Sequence, residues 1–442
     1  MILTVLLIFT LVVGFYMAWN IGANDVANAM GTPVGSGALT LKRAIILAGI
    51  FEFLGAFFVG SNVAETIGNG IVTLDAFHRR PAASAAGPAP AQAPELRPAP
   101  DRPPPPDPAT KRLAVGMLAA LLASAIWLNV ATFFGQPVST THAIIGAVIG
   151  FAVVAVGPAC IRWTKMGTIA ASWVISPLVG GAIAYLTYSA IRRFVLRSRH
   201  PVHMARQAVP LALGSVVFIL TLSVLYKGLH LNLNAVHAIP PAAAAGVIAA
   251  LAGGAYVRRH TRNHRVRLHE RYEVVERWFA RIQILTACYL AFAHGANDVA
   301  NAIGPLATAV AGFSGGEAGG SAGIPAWLLA IGGAGIVLGL ATYGYKVIHA
   351  VGRKITEITP TRGFSAEFAT ATTVLVCSKL GLPISTTFVL VGAVMGVGLA
   401  RGFAAIDLRV IRRIFTSWVI TIPVSAVLAA ALYWVLDAIL GF

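Results

Sequence analysis

The chain is a succession of apolar runs separated by short polar or basic segments. Apolar stretches lie near residues 2–20, 43–62, 113–134, 141–157, 167–191, 207–226, 237–257, 279–294, 325–347, 366–380, 386–400 and 414–440. A helix needs about 20 apolar residues to cross a hydrocarbon layer ~30 Å thick. The pattern therefore predicts about twelve spanning or partly spanning helices. Several runs, 141–157 and 386–400 among them, fall short of a full crossing. Short runs of this kind predict broken or re-entrant helices that reach only the middle of the membrane. The first run, Ile2 to Trp19, has no basic residue before it and leads straight into a polar motif, so it reads as a retained helix and not a cleaved signal.

Three repeats turn this list into an architecture. The octet Gly22-Ala-Asn24-Asp25-Val-Ala-Asn28-Ala29 returns unchanged as Gly295-Ala-Asn297-Asp298-Val-Ala-Asn301-Ala302. Gly135-Gln-Pro137-Val-Ser139-Thr140-Thr141, with its tail to Gly150, matches Gly381-Leu-Pro383-Ile-Ser385-Thr386-Thr387, with its tail to Gly396. Ser172-Trp173-Val174-Ile175 matches Ser417-Trp418-Val419-Ile420 in the same order. The expected division is a first repeat over residues 1–191, linking helices and basic loops over 192–278, and a second repeat over 279–442. Within the first repeat, residues 78–110 hold an Ala/Pro-rich stretch that predicts a disordered or polyproline-like loop. The Gly-rich stretch Gly312 to Gly323 reads as a connector.

Composition excludes a soluble protein. Of 442 residues, 57% are hydrophobic and 11% charged, against about 25% charged in soluble domains. A net charge of +17 would suggest nucleic acid in a soluble chain, but here the basic residues lie between apolar runs and act first as topology signals. Arg192, Arg193, Arg197, Arg199 and Arg206 crowd one loop, and Arg258, Arg259, Arg262, Arg265, Arg267, Arg271 and Arg277 another, with only Lys227 between them. Both loops are expected in the cytoplasm. Counting outward, the first motif helix runs inward and its copy outward, with Lys42-Arg43, Arg353-Lys354 and the basic run Arg409 to Arg413 inside and both termini outside. Arg162 and Lys165 fall outside, against the rule. The segment Arg258 to Arg281 has a second reading, as a lipid-binding or regulatory element. The fold class is thus an all-α polytopic membrane protein, in two inverted-topology repeats with re-entrant or broken helices at the midplane. An integral plasma (inner) membrane location is expected. Cys160, Cys288 and Cys377 are scattered without CxxC spacing, so neither a disulfide framework nor a zinc site is indicated.

The chemistry lies in the repeats. An Asp at a membrane helix centre costs about 2.5–3.5 kcal/mol and marks function by default. If the octet is helical, Asn24 and Asn28 share a face beside Asp25, an oxygen-rich surface suited to a small hard cation. A plainer reading makes the Asp a helix cap and the amides glue between helices. In the second motif, proline ends any preceding helix, and Ser139 to Thr141 or Ser385 to Thr387 then begin an apolar helix. A helix N-terminus at membrane depth, with free N–H groups and hydroxyls, makes an anion site. Two such ends can surround a tetrahedral oxyanion, provided cations shield it from the aspartates; the plainer reading makes the hydroxyls simple caps. Glu52 sits in an apolar run without a basic neighbour, as a cation ligand or proton carrier, and Glu367 begins a helix where an acid is favoured by the dipole alone. Neither has a counterpart in the other half, the position matching Glu367 being Leu121. His142 follows the first Ser-Thr-Thr where Phe388 follows the second, so His142 reads as a local hydrogen-bonding residue.

At these residues the chain resembles the inorganic phosphate transporter (PiT) family. The resemblance rests on both octets, Gly37-Ala-Leu-Thr-Leu-Lys42-Arg43 with Phe51-Glu52, Gly363-Phe-Ser-Ala-Glu367 and both Pro-x-Ser-Thr-Thr stretches. It implies a cation-coupled phosphate symporter with an inverted-repeat fold. It implies that Asp25 and Asp298 serve the coupling cation, as the sites of Na⁺ if sodium is used, with Asn24, Asn28, Asn297 and Asn301 beside them, and that Glu52 and Glu367 are transport-essential acids; with Asn28 and Asn301, these two acids are read as further cation ligands. The hydroxyls of Ser139, Thr140, Thr141, Ser385, Thr386 and Thr387 would hold phosphate, with Asn24 and Asn297 beside them. Phe388 departs from the histidine often found at its position.

The reading is therefore a secondary-active symporter that imports inorganic phosphate with Na⁺ or H⁺, free or as a metal–phosphate complex, by alternating access. Another oxyanion such as sulfate is the rival within the class, and a cation channel or cation/proton antiporter the rival outside it. No cofactor is expected beyond the coupling ion. The expected partners are phosphate and membrane lipid, with a homodimer open and nucleic acid excluded. An enzyme is not indicated, since no Ser-His-Asp order, P-loop or nucleotide motif is visible.

Overall fold

The computed structural model describes residues 2–78, 107–134, 138–226, 234–261, 270–315, 323–344, 359–402 and 408–440. Most of the Ala/Pro-rich stretch 78–110, Gly135 to Pro137, Lys227, Arg262, Arg265, Arg267, Arg353, Lys354 and most of the Gly-rich connector lie outside these residues. The described chain is nearly all helix, with one isolated β-bridge, Val72 to Ile161.

In chain order, α1 is Ile2–Gly35 and α2 is Leu41–Val59, bent by 63° into α3, Ser61–Asn69. A short α4, Leu74–His78, follows. Next come α5 (Pro108–Phe133), α6 (Thr140–Ala155) and α7 (Trp163–Ala190), which runs on as a π-helical segment to Leu196. Then come α8 (Pro201–Leu225), α9 (Ala235–Thr261), α10 (Arg271–Asp298) and α11 (Ala300–Ser314). The chain continues with α12 (Ala326–Gly339), extended by a π segment to Gly344, then α13 (Pro360–Lys379), α14 (Thr386–Arg401) and α15 (Leu408–Leu440).

Among the described residues, seven helices are long and apolar enough to cross a membrane, or eight if bent α2–α3 counts as one span. α6 and α14 have 16 residues each, which at 1.5 Å per residue is about 24 Å, short of the ~30 Å crossing. These are two of the four shortest apolar runs; the equally brief ones near 279–294 and 366–380 lie within longer helices, α10 and α13, so brevity misleads there. α10 and α13 are 28 and 20 residues long but are not among the seven. Charged and hydroxyl-bearing side chains lower their hydropathy, so the run near 279–294 shows only the apolar part of α10.

Packing exchanges elements between the two motif-bearing halves. α2 packs on α10, while its counterpart α12 packs on α1; α6 packs on α15, while its counterpart α14 packs on α7. Small residues permit these approaches, as at membrane helix interfaces generally. A Cβ on Gly295 would strike the backbone oxygen of Glu52, and one on Gly22, its repeat mate, that of Ile336. Gly392 and Gly396 lie against the backbone of Pro177 and Gly181, as their mates Gly146 and Gly150 lie against Ile422 and Ala426. These matched contacts put Ile336 in the place of Glu52, an apolar residue where the first half carries an acid. α8 and α9, which have no repeat mate in the sequence, pack on each other, with Gly214 and Gly246 in mutual close approach.

Candidate functional site

The two octets meet in the interior. Asp25 on α1 is 1% exposed and Asp298, the last residue of α10, is 0% exposed, so both carboxylates depend wholly on protein partners here. Each accepts a hydrogen bond from the first residue of the half-length helix of its own repeat. Thr140 Oγ1 donates to Asp25 Oδ2 at 3.0 Å, and Thr386 Oγ1 donates to Asp298 Oδ2 at 3.0 Å. The helix starts are therefore aimed at the aspartates, and these equivalent bonds join the two motif pairs into one centre.

Amides cross-link the repeats at this centre. Asn301 Nδ2 donates to Thr140 Oγ1 and Thr141 Oγ1, both at 3.2 Å, and to Asp298 Oδ1 at 3.0 Å. Asn28 Nδ2 donates to Thr387 Oγ1 at 2.8 Å. Asn297 Nδ2 donates to the carbonyl of Ile384 at 2.8 Å, and Asn24 Nδ2 to Thr132 Oγ1 at 2.6 Å. Thr141 Oγ1 bonds Ile384 O at 3.0 Å. Ser139 caps α6, its Oγ accepting from His142 N–H at 3.2 Å, as the plainer reading expects of that residue. Ser385 holds the matching N-cap position of α14 without a side-chain cap bond.

The sequence reading overlooks the residue that bridges the acids. His294, on α10 immediately before the second octet, places Nδ1 3.1 Å from Glu52 Oε1. Its Nε2 lies 3.0 Å from Asp298 Oδ2 and 3.9 Å from Asp25 Oδ2. Asp25, His294 and Asp298 each offer a ligand atom, all within 4.8 Å of one another. The available signal was a histidine in an apolar run one helical turn before Asp298; repeat comparison hides it, because Ile21 stands at the matching place. Three buried oxygens at this centre, Asn24 Oδ1, Asn301 Oδ1 and Glu52 Oε2, have no hydrogen-bond donor. Unmet acceptors are costly in a dry interior. Oxygen acceptors of this kind are what a small cation coordinates.

Glu367 stands in a separate network. Its Oε1 accepts from Thr32 Oγ1 at 2.5 Å and Gln283 Nε2 at 2.9 Å, and its Oε2 from Thr286 Oγ1 at 2.6 Å. No hydrogen bond joins it directly to Asp25 or Asp298 among the described residues. His142 is buried against aromatic rings, edge-on to Trp173 at 4.0 Å between centroids and 5.1 Å from Phe388, its own repeat mate.

Fold and site together define a helical integral membrane protein with a buried centre of paired carboxylates, amides and hydroxyl-led half-helices. The model of the phosphate transporter family matches residues 21–429. The inorganic phosphate transporter 2-1, chloroplastic, of Arabidopsis thaliana is 42% identical over 458 aligned residues, which cover 98% of this chain and 72% of that protein. A solved structure described as "The sodium-dependent phosphate transporter" superposes with a TM-score of 0.86 at 38% identity, covering 98% of this chain and 100% of its own. The chain belongs to the phosphate transporter family. It is a transporter, not an enzyme.

Proposed function

We propose that this chain carries inorganic phosphate inward together with Na⁺ by alternating access. Cations sit at Asp25 and Asp298, and phosphate is held by the hydroxyls and N-termini of α6 and α14. The observation that carries this reading is the pair of Thr140–Asp25 and Thr386–Asp298 hydrogen bonds. A hydroxyl has one proton to donate, and in each threonine that proton is committed to a carboxylate. Phosphate binds through donors, so it requires these protons to be released. A cation at the carboxylate competes for the same oxygen and sets the hydroxyl free. It also cancels the negative charge that would repel the anion. Cation and phosphate then favour each other by the same factor in both directions, which is the thermodynamic basis of symport.

Na⁺ is preferred because the centre offers carboxylate and amide oxygens, three of them without donors, and because the related solved structure is described as sodium-dependent. A proton is the second reading. It is favoured by the direct contact of His294 with Glu52, where a shared proton would supply the positive charge instead. Glu52, Asn28 and Asn301 complete the cation side on this account, and Asn24 and Asn297 border the phosphate. The basic loops face the cytoplasm, by the charge asymmetry of the sequence.

Equilibrium binding of ³²P-phosphate to the purified protein, at zero and saturating Na⁺ with choline as the balancing ion, tests this reading. Na⁺ is expected to tighten phosphate binding, and phosphate to tighten Na⁺ binding by an equal factor. Phosphate affinity indifferent to both Na⁺ and pH would overturn it.

A further inference from the structure

We propose that Trp173 is a positioning residue for the anion site: its indole N–H fixes the turn that leads into α14, while its ring braces the start of α6. The proposal rests on the reading that these two helix starts hold phosphate, and adds a residue that acts on them from α7.

The third repeat of the sequence, Ser172-Trp173 with Ser417-Trp418, has no part in the centre described above. The side chain of Trp418 lies outside the described residues. Trp173 is not placed as an interfacial anchor. It stands ten residues after Trp163, the first residue of α7, which is about 15 Å along the axis and half of a ~30 Å crossing. Anchoring tryptophans sit at the headgroup level instead. At mid-depth an indole N–H needs an acceptor. Trp173 finds one in the other repeat, where its Nε1 donates to the carbonyl of Pro383 at 3.0 Å.

Pro383 lies in the turn between α13 and α14. Gly381, with φ +66°, ends α13: its N–H bonds Ser378 O, and Leu382 N–H bonds Cys377 O. This pair of bonds closes a helix C-terminus. Proline then prevents any continuation, and the carbonyls of the turn must find donors on other elements. Gly381 O accepts from Thr66 Oγ1 at 2.8 Å, and Ile384 O from Thr141 Oγ1 at 3.0 Å and Asn297 Nδ2 at 2.8 Å. The first of these bonds steadies the end of α13, and the other two belong to the centre itself. The Trp173 bond falls between them, two residues before Ser385, and orients the peptide from which Ser385, Thr386 and Thr387 follow.

The same ring reaches the other helix start. Trp173 stands edge-on to His142, with centroids 4.0 Å apart, and His142 directly follows Thr141. His142 in turn lies 5.1 Å from Phe388, which directly follows Thr387. One side chain of α7 thus touches the first turn of α6 and the turn ahead of α14, one from each repeat. Cohesion alone does not call for it. Gly392 and Gly396 already bring α14 against the backbone of α7 at Pro177 and Gly181, so the indole N–H adds direction to the turn and not merely contact between helices.

Trp173→Phe tests the assignment, since it keeps a ring against His142 and deletes the donor. The turn then samples other orientations, and phosphate binds only the fraction of protein in the right one, so its apparent affinity falls with that fraction. At the worth of one neutral hydrogen bond the loss is about 2- to 12-fold. Equilibrium binding of ³²P-phosphate at saturating Na⁺, and of ²²Na⁺ without phosphate, reads it on the purified full chain. Trp173→Phe should weaken phosphate by that factor and leave Na⁺ unchanged, a split that general loosening of the fold would not give. Trp163→Phe is the control. Trp163 Nε1 donates to Pro158 O at 3.0 Å, the same kind of bond at the exposed end of the same helix, and its loss should change neither ligand. Should Trp173→Phe not fold, 3-benzothienylalanine at position 173, which keeps both rings and puts sulfur in place of the N–H, carries the same expectation. Unchanged phosphate affinity, equal weakening of Na⁺ and phosphate, or an equal phosphate loss in Trp163→Phe would overturn the proposal. Wild-type protein that binds no phosphate would overturn the transport reading itself, so the two failures are told apart.

Discussion

Thr386→Val isolates the hydroxyl whose release is held to couple the two substrates. Thr386 is 3% exposed and its hydroxyl donates to Asp298 at 3.0 Å, so valine keeps the branched shape and removes one buried donor. A hydrogen bond to a charged group is worth about 1.5–3 kcal/mol, which at 1.4 kcal/mol per decade is roughly a 10- to 150-fold effect. In the wild type that bond opposes cation entry and, once freed, serves phosphate. The variant should therefore bind Na⁺ at least as tightly as the wild type. It should bind phosphate about 10- to 150-fold more weakly at saturating Na⁺, and the factor by which each ligand favours the other should shrink. Thr386→Ser, which restores the donor, should return all three quantities toward wild type. Titrating ³²P-phosphate binding across a Na⁺ series on the purified protein gives these numbers. Equal weakening of both ligands would mean general damage to the centre, and unchanged phosphate affinity would mean that the hydroxyl does not serve the anion; either result refutes the reasoning.

Asp25→Asn or Asp298→Asn is expected to abolish coupled uptake, since the amide lacks the charge that attracts the cation; wild-type uptake rates in either variant would remove that assignment. Gly295→Ala drives a methyl into the backbone of α2 at Glu52, and because overpacking costs typically about 1–3 kcal/mol the variant should melt at lower temperature in detergent, as its mate Gly22→Ala should against α12. His294→Ala removes the imidazole that touches Glu52 and Asp298; the three acids then lose their shared partner, and Na⁺ dependence of phosphate binding should change far more than fold stability, which paired binding and melting measurements would check. Deleting residues 81–106 should leave uptake intact, as its Ala/Pro composition carries no part of the repeats.

The repeats made much of the centre legible before any coordinates. Two identical octets and two Ser-Thr-Thr helix starts are local signals, and Asp25, Asp298, Thr140 and Thr386 do converge. The shortness of α6 and α14 was visible as short apolar runs, but the runs near 279–294 and 366–380 are as short and belong to longer helices, so run length alone did not single out the half-helices. What escaped depends on tertiary packing or on asymmetry. His294 has an isoleucine as its mate, so searching for repeated residues passes over it. Thr32, Gln283 and Thr286 are unremarkable singly and become a cluster only when α1, α10 and α13 are brought together around Glu367. Resemblance marks Glu367 as a transport-essential acid, and the structure adds that its partners are Thr32, Gln283 and Thr286. Hydropathy also misjudged α10 and α13: Gln283, Thr286 and Glu367 are buried against other helices, while Glu273 and Arg277 lie exposed on the first turns of α10, so that the apolar runs understate both lengths.

On the symport reading, phosphate moves through this protein only with a cation bound at the paired aspartates. The direct measurement is ³²P-phosphate uptake into proteoliposomes holding the purified protein, with Na⁺ and pH gradients imposed separately and sulfate added as competitor. An inward Na⁺ gradient should drive accumulation that sulfate does not block and that Asp25→Asn and Asp298→Asn lose. Accumulation that needs no cation gradient, or sulfate that displaces phosphate, would contradict the account.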